Sequence, residues 1–571
     1  EGQLISYHQG NKEYRFLNAK SITDFDELFK LFHKVLAVNL NERSEAVKKK
    51  YSKVPYLNSS LFEISELEDD TIKINSLENS QQLELFKNTI LQETRKKGSS
   101  LPMLDYFLQF LDAYDFASDT TADIQEENKT IINASVLGKV FEKINGFKDG
   151  SIFTPAFITM HMCKQSIRLA TIEKFNEALS TEDKNLFNKF EDVRNYTSKL
   201  FRTEDILKAN EIINSLRICD PAVGSGHFLV SSLNEIISIK SELGILSDKE
   251  GNLVRGYEIE NVNDELFITD LQGNIFEYRL KYGKPESKEN QKLQKTLFHE
   301  KQTLIENCLF GVDINSNSVK ICRLRLWIEL LKNAYYKEDS NFTELETLPN
   351  IDINIKCGNS LISRFDLDAD LSKVLKSSKD DTSSYKKYVR EYKNEKSREA
   401  KRELQKFIRD VKNDFRKEIT NNDPKKIKLA KSKGELQGLL DNYEMFELNK
   451  KELKIRKDKQ KRLEVEISKL TAEIEELKNS SIFKNAFEWR FEFPEVLNEA
   501  GVFEGFDVVI GNPPFINANE LKKSLPEATY KMMKNNYETA KGAADLFIYF
   551  FEKGLIKKKK GGQLNLITPN R

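Results

Sequence analysis

The sequence predicts an α/β protein built on a doubly wound parallel sheet, and three stretches predict it. Arg217-Ile218-Cys219-Asp220-Pro221-Ala222-Val223-Gly224-Ser225-Gly226-His227-Phe228 passes from a short apolar strand through an acidic, glycine-containing loop into a helix, the layout of a first βα turn. Leu309-Phe310-Gly311-Val312-Asp313-Ile314-Asn315 is a second strand with an acid at its end, followed by amphipathic helical spacing from Ser318 to Leu331. Phe506-Asp507-Val508-Val509-Ile510-Gly511-Asn512-Pro513-Pro514-Phe515 is an apolar run that ends in a polar, doubly prolyl corner. To this sheet the sequence adds an α-helical amino-terminal domain and a long helical-hairpin insertion.

Composition bounds the rest. At 571 residues the chain exceeds the size at which one core keeps growing, so two or more domains are expected. Lys plus Arg and Asp plus Glu are each 90, so net charge is silent on nucleic acid, and a basic face would have to be local. The five cysteines (163, 219, 308, 322 and 357) lack metal or disulfide spacing, and mostly sit in apolar runs as buried thiols of a reducing compartment do. No apolar run approaches the roughly 18 residues of a membrane span and no signal-peptide pattern opens the chain. A cytoplasmic protein without a membrane partner and without a metal site is expected. The chain begins at Glu1 and stops just after an apolar strand, so it reads as a piece of a longer polypeptide.

Residues 1–140 carry helical patterns at Asp24 to Val38, with Asp24 as the cap, and at Met103 to Phe116. His8 and His33 there read as ordinary surface or packing residues. Glu-x-Lys triplets at Glu452, Glu476 and Glu520 lie in helical, charge-rich surroundings and read as solvated helix faces, not as a nuclease centre. The sheet domain is placed at 141–571. It opens with Gly150-Ser151-Ile152-Phe153-Thr154-Pro155, where Thr154 suits a helix cap and Pro155 the first turn of the helix that follows. The exposed N–H groups of that helix start could meet a ligand carboxylate.

In the first βα turn, glycines let the backbone approach a ligand closely, but the third glycine and the Lys-Ser/Thr of phosphate binders are missing. Asp220 at the strand end favours a cationic ligand. S-adenosylmethionine, with its ammonium and sulfonium, suits this loop better than a dinucleotide does. Asp313 could take both ribose hydroxyls or cap the following helix. In ordinary folds of this kind that acid follows within about 20 residues. Here it comes far later, so an insertion at about 235–305 is expected, with a β-hairpin between 254 and 280 and a returning helix near 290–307. The third strand, Ile351 to Cys357, ends at Gly358-Asn359-Ser360-Leu361, where Asn359 could bond an adenine or merely form a turn.

The second insertion, about 368–485, is rich in Lys and Glu. Leu463, Ile467, Leu470, Ile474 and Leu477 mark a coiled-coil seam, and Tyr385 to Phe415 gives an earlier helix to pair with it across a break at Asn421-Asn422-Asp423-Pro424. Its lysines are a solvated face or a contact for DNA phosphates. The chain returns through Phe487-Glu488-Trp489-Arg490-Phe491-Glu492-Phe493-Pro494-Glu495 to the corner. A helix from Asp545 to Ile556 and a fifth strand from Gln563 to Ile567 follow.

The corner carries the chemistry. Each proline lacks an amide hydrogen and holds φ near one value, so the Asn512 side chain and the Pro513 carbonyl stand in a fixed relation as two acceptors. An exocyclic base amine is a poor nucleophile because its lone pair is delocalised into the ring. Two hydrogen bonds from its N–H groups to these acceptors would draw it toward tetrahedral geometry, and Phe515 would stack on a base taken out of the duplex. Pro514 holds the turn. An Asn-Pro-Pro turn that merely closes a strand is the alternative.

Taken in this order, the motifs resemble the adenine-N6 DNA methyltransferases of the gamma motif order, and more closely the methylase part of type IIG restriction-modification enzymes. The resemblance covers about residues 135–571, and the start, with Val54-Pro55-Tyr56-Leu57-Asn58, resembles the connector between nuclease and methylase in such enzymes. It implies a Rossmann-like methyltransferase sheet, S-adenosylmethionine as cofactor and double-stranded DNA as partner. Thr154 and Pro155 would then lie at the cofactor's methionine end, with Asp220, Ala222, Gly224 and Gly226 holding that end. Asp313 and Ile314 would meet the ribose and its surroundings, and Asn359, where many relatives have Asp, the adenine. Asn512, Pro513, Pro514 and Phe515 would form the target site. The family's nuclease, which would need Mg2+, and its recognition domain lie outside these residues. A stand-alone or phage-defence DNA methylase, a cytosine-N4 or RNA amino-methylase, and a scaffold without chemistry stay open as alternatives.

Overall fold

The structure, a computed structural model, describes the chain except for residues 1–21, 53, 58–61, 63, 65–67, 69, 87, 90, 92–99, 116–129, 132–135, 137–139, 141–153, 180–185, 263, 350, 352–353, 364–386, 390, 393–399, 401–402, 405, 411–423, 442–449, 480–485, 499–501, 541 and 570–571. Two compact units result: residues 1–356 with 506–515 and 557–571, and residues 357–505 with 516–556.

The first unit holds the predicted sheet. Its strands are β1 (Ile218–Asp220), β2 (Leu309–Asp313), β3 (Ile355–Cys357), β4 (Phe506–Gly511) and β5 (Lys558–Leu566), in the spatial order β3-β2-β1-β4-β5. Pairing is parallel for β2 with β1, β1 with β4 and β4 with β5. The order reverses between β1 and β4, so that edge is the topological switch point of a doubly wound sheet. All six residues of β4 are buried, which is why its apolar run is nearly unbroken. The exception, Asp507, accepts from Arg217 N at 2.8 Å and pairs with Lys174 Nζ at 3.0 Å.

Helices cover both faces. Helix α1 (Ala156–Leu179) contacts β4 and β5, and Asn565 of β5 donates to Ser166 Oγ at 2.6 Å. Helix α2 (His227–Glu242) follows the glycine loop and is buried on nearly every side, from Phe228 through Ile239. Helix α3 (Lys288–Asn307) is the predicted returning helix, and α4 (Ser316–Lys332) follows β2. The hairpin before α3 consists of Tyr257–Val262 paired with Glu265–Asp270. Asp264, between its two strands, takes φ 65°. The hairpin is held by buried charge: Lys332 Nζ reaches Glu265 at 3.2 Å and Glu329 at 2.8 Å, and Lys301 Nζ reaches Glu329 at 3.1 Å.

Several boundaries differ from the expectation for physical reasons. The amino-terminal region is not wholly helical: Gln82–Glu84 pairs antiparallel with Ser100–Pro102, and Tyr114–Asp115 pairs with Thr130–Ile131. Leu101, Leu85 and Leu91 form a small core of their own there, which gives the first strand pair something to cover. Asp24 does cap its helix, accepting from Glu27 N at 2.8 Å. The fifth strand begins at Lys558, so the lysine run and both glycines lie inside it, with a register shift opposite Phe506 to Val508. Four cysteines are buried as expected, whereas Cys357 is exposed. His8, Gly150 to Phe153 and Asn58 lie outside the described residues.

The second unit contains α5 (Pro424–Asp441) and α6 (Lys450–Asn479). Lys428 pairs with Glu466 at 2.7 Å, and Arg456 donates to the Leu439 carbonyl, so the two helices run antiparallel. Leu463 and Leu470 of the predicted seam are buried. The helix described against the seam is thus α5. Pro424 opens it instead of merely breaking the chain, because a proline is well tolerated where no intrahelical N–H bond is required. Tyr385, Val411 and Phe415 lie outside the described residues. Elsewhere in this unit Phe487, Trp489 and Phe493 pack ring against ring, and Trp489 Nε1 donates to the Ser360 carbonyl at 3.2 Å.

Candidate active site

The site assembles in the first unit at the carboxyl ends of β1, β2 and β4. The glycine loop after β1 turns on Gly224 (φ 52°) and Gly226 (φ 84°), conformations that side chains rarely adopt. A Cβ on Gly226 would stand 2.6 Å from Cys322 Sγ of α4, so this glycine serves close helix packing. Gly224 has open space on that side. Val223 N donates to Val312 O at 2.9 Å, fastening the loop to β2, and Arg325 of α4 donates to the Ser225 carbonyl at 3.2 Å and to its hydroxyl at 3.3 Å. Ala222 is half-buried beside Asp220.

Asp220 is only 1% exposed. Its Oδ1 accepts from Ala222 N at 3.0 Å. Burial pushes its carboxyl up to about 8, against the lowering effect of the Ala222 N–H, and the neighbouring Asp313 charge adds to the rise. A buried acid raised in this way beside a second acid suits a ligand that brings positive charge, and here the chemistry of the donor set fits S-adenosylmethionine. Asp313 does not cap α4: that position belongs to Asn315, which accepts from Asn317 N. Instead Asp313 Oδ2 accepts from Gly224 N at 2.9 Å and Oδ1 from Asn315 N at 2.7 Å, which ties the second acid to the glycine loop. Ile314, next along, is 58% exposed, an apolar side chain left outside the core at a strand end.

Strand β4 delivers the corner. Gly511 stands against Asp220, where a Cβ would lie 2.5 Å from Oδ1, so the end of β4 and the acid of β1 are in contact across the switch point. Asn512 is half-buried, Pro513 buried, and Pro514 and Phe515 half-buried. Asn512 Nδ2 donates to Thr154 Oγ1 at 2.9 Å. Thr154 is therefore not the helix cap expected of it. Helix α1 starts at Ala156, one residue later than a Thr154 cap requires, and the hydroxyl serves Asn512. Pro155 is exposed at that start.

Asn359 belongs to the second unit, where its Oδ1 accepts from Leu361 N at 3.0 Å in a turn. Among the described residues no group of three or more His, Cys, Asp or Glu could hold a metal ion, and no helix is long and apolar enough to cross a membrane.

Two residues here escaped sequence reasoning. Arg325, buried in a helix read only as amphipathic, braces the loop at Ser225. Asp264, at the hairpin turn, is buried between the two helices that start at the site: Ser231 Oγ of α2 donates to its carboxylate, Thr159 Oγ1 of α1 lies at 3.4 Å, and Asn234 Nδ2 donates to its carbonyl at 2.6 Å. His227 Nδ1 stands 3.9 Å from the same carboxylate. An acid in a turn carries no local mark of burial.

Comparison with known proteins bears on this arrangement. Residues 307–571 match the Eco57I restriction-modification methylase family, and residues 1–132 match a domain of unknown function, DUF7814. A putative type II restriction enzyme and methyltransferase of Methanocaldococcus jannaschii, RM.MjaORFECS2P, is 26% identical over 95% of this chain and 40% of its own length. The type II restriction enzyme and methyltransferase RM.Eco57I of Escherichia coli is 27% identical over 22% of this chain and 12% of its own. The chain thus spans less than half the length of the curated relatives it matches. Among solved structures, the type IIL restriction-modification enzyme MmeI in complex with DNA aligns over 60% of this chain and 34% of its own, at 14% identity and a TM-score of 0.30.

Proposed function

We propose, for a chain whose residues 307–571 carry an Eco57I restriction-modification methylase domain, that it methylates the N6 amine of an adenine turned out of a specific DNA sequence. The observation that carries this reading is the Asn512-Pro513-Pro514-Phe515 corner standing at the switch point, against the buried acid Asp220. S-adenosylmethionine, when bound, supplies a methyl group on a sulfonium leaving group.

The chain's residues do the rest. Asp220 offers a buried carboxylate to the cofactor's positive charge, and the glycine loop lets backbone approach it closely. Asp313 retains acceptor capacity beyond its two backbone bonds, since a carboxylate has about four lone-pair sites, and this suits it to ribose hydroxyls. Ile314 gives the nucleoside an apolar contact, and the assignment of Asn359 to the adenine rests on the resemblance alone. At the corner, Asn512 Oδ1 and the Pro513 carbonyl accept the two N–H bonds of the target amine and localise its lone pair for attack on the methyl group. Phe515 stacks on the extruded base.

Incubating the full-length protein with methyl-labelled cofactor and DNA of mixed sequence, then digesting the DNA and identifying the nucleoside by mass spectrometry, tests the reading. Label in 6-methyladenine is expected. Label in 4-methylcytosine would reassign the target, and label absent from DNA would sink the proposal.

A further inference from the structure

We propose that Thr154 is a positioning residue for methyl transfer: its hydroxyl, bonded to Asn512 Nδ2, holds the carboxamide with Oδ1 turned to the target amine. This deepens the reading above and rests on it. A carboxamide rotated by half a turn would present its NH2 group to a substrate NH2 group, donor against donor, and the lone pair would not be localised. Thr154 Oγ1 accepts from Nδ2 at 2.9 Å and so anchors the carboxamide in the orientation that leaves Oδ1 for the amine.

The hydroxyl can do this because it is itself held. Thr154 is 7% exposed, and as the residue before Pro155 its backbone is confined to extended conformations. The helix it leads into is tied along its length to the two strands that flank the corner. Ser166 meets Asn565 of β5 at 2.6 Å, Lys174 meets Asp507 of β4 at 3.0 Å, and Glu177 meets Lys559 of β5 at 2.7 Å. Each tie sets the register of α1 against the sheet, and the Thr154 hydroxyl inherits that register at Asn512. The start of α1 and the corner are thereby held to the same sheet.

Thr154→Val keeps the shape and removes the acceptor, and Thr154→Ser restores it. In the full-length protein, the Val variant should lower kcat for DNA methylation ~10- to 100-fold, the scale of a misplaced reacting group, while cofactor affinity by calorimetry changes less than about twofold. The Ser variant should recover most of the rate. A Val variant with unchanged kcat and weakened cofactor binding would overturn the inference, because Thr154 would then act only on the cofactor. A second readout does not depend on the reaction: with 15N-labelled asparagine, the Asn512 side-chain amide protons should exchange slowly in wild type and the Ser variant and fast in the Val variant. Equal exchange in wild type and the Val variant would overturn the proposal even if methylation is robust. Slow exchange in a wild type that transfers no methyl group to DNA would instead leave the positioning intact and refute the functional reading.

Discussion

Two loops leave neighbouring strands of one sheet at the same edge and are built on opposite principles. The loop after β1 turns on glycines, uses left-handed backbone at Gly224 and Gly226, and gathers acids around its N–H groups. The corner after β4 turns on two prolines, which contribute no N–H group at all. One loop suits a ligand that carries positive charge and needs close backbone approach. The other offers acceptors in fixed directions and suits an amine. The two meet at Gly511, whose missing side chain makes room for the Asp220 carboxylate. Neighbouring strands can therefore carry two loops built from opposite backbone chemistry without either loop lengthening.

Three experiments break or sharpen this contrast. Asn512→Ala in the full-length protein should lower the methylation rate by roughly two orders of magnitude or more, as for loss of one transition-state hydrogen bond, while cofactor affinity stays nearly constant. Single-turnover rates and calorimetry check it, and parallel loss of both quantities would mean that the loops are not separate in function. Gly511→Ala should do what no substitution within either loop does and damage both, because its Cβ would sit 2.5 Å from Asp220 Oδ1. A loss of about 1 to 3 kcal/mol, the usual range for overpacking, should show in the thermal midpoint, with weaker cofactor binding and slower turnover together.

The smallest effect is a pH dependence confined to the glycine loop. Asp220 has a folded pKa of about 8 against an ordinary 3.8, so the folded protein holds a proton that the unfolded chain releases between those values. Its contribution to stability is present at low pH and is lost as pH rises through about 8. Cofactor binding should run the other way, since the ionised carboxylate attracts the cation. Affinity should climb by at most about tenfold per pH unit up to 8 and then level. Asp220→Asn should flatten both trends in calorimetry and thermal melts. The rate at saturating cofactor should not follow this titration, since neither Asn512 nor the Pro513 carbonyl titrates there.

Much of the fold was legible because its signals are local. The apolar run Phe506–Ile510, broken only by Asp507, marks a strand buried on both faces, and glycines and prolines announce the turns that require them. Boundaries were less legible where composition misleads. The lysine run at 558–560 reads as a loop but lies in a sheet edge, where charged side chains can point to solvent while the backbone still pairs. Helix α5 was overlooked because Gly434 and Gly438 dilute its pattern and it takes its face from packing against α6.

By itself, then, the sequence determined which turns glycine and proline build and in what order they come along the chain, since the conformations of glycine and proline are properties of single residues. Only the tertiary structure decided the pairings: Thr154 with Asn512, Gly224 with Asp313, Asp264 with α1 and α2, and Gly511 against Asp220. A contact between residues tens to hundreds of positions apart leaves no periodicity or spacing at either end. Its partners become neighbours when the sheet assembles and the helices settle in register upon it, and at that point Thr154 comes to serve Asn512 rather than the end of its own helix.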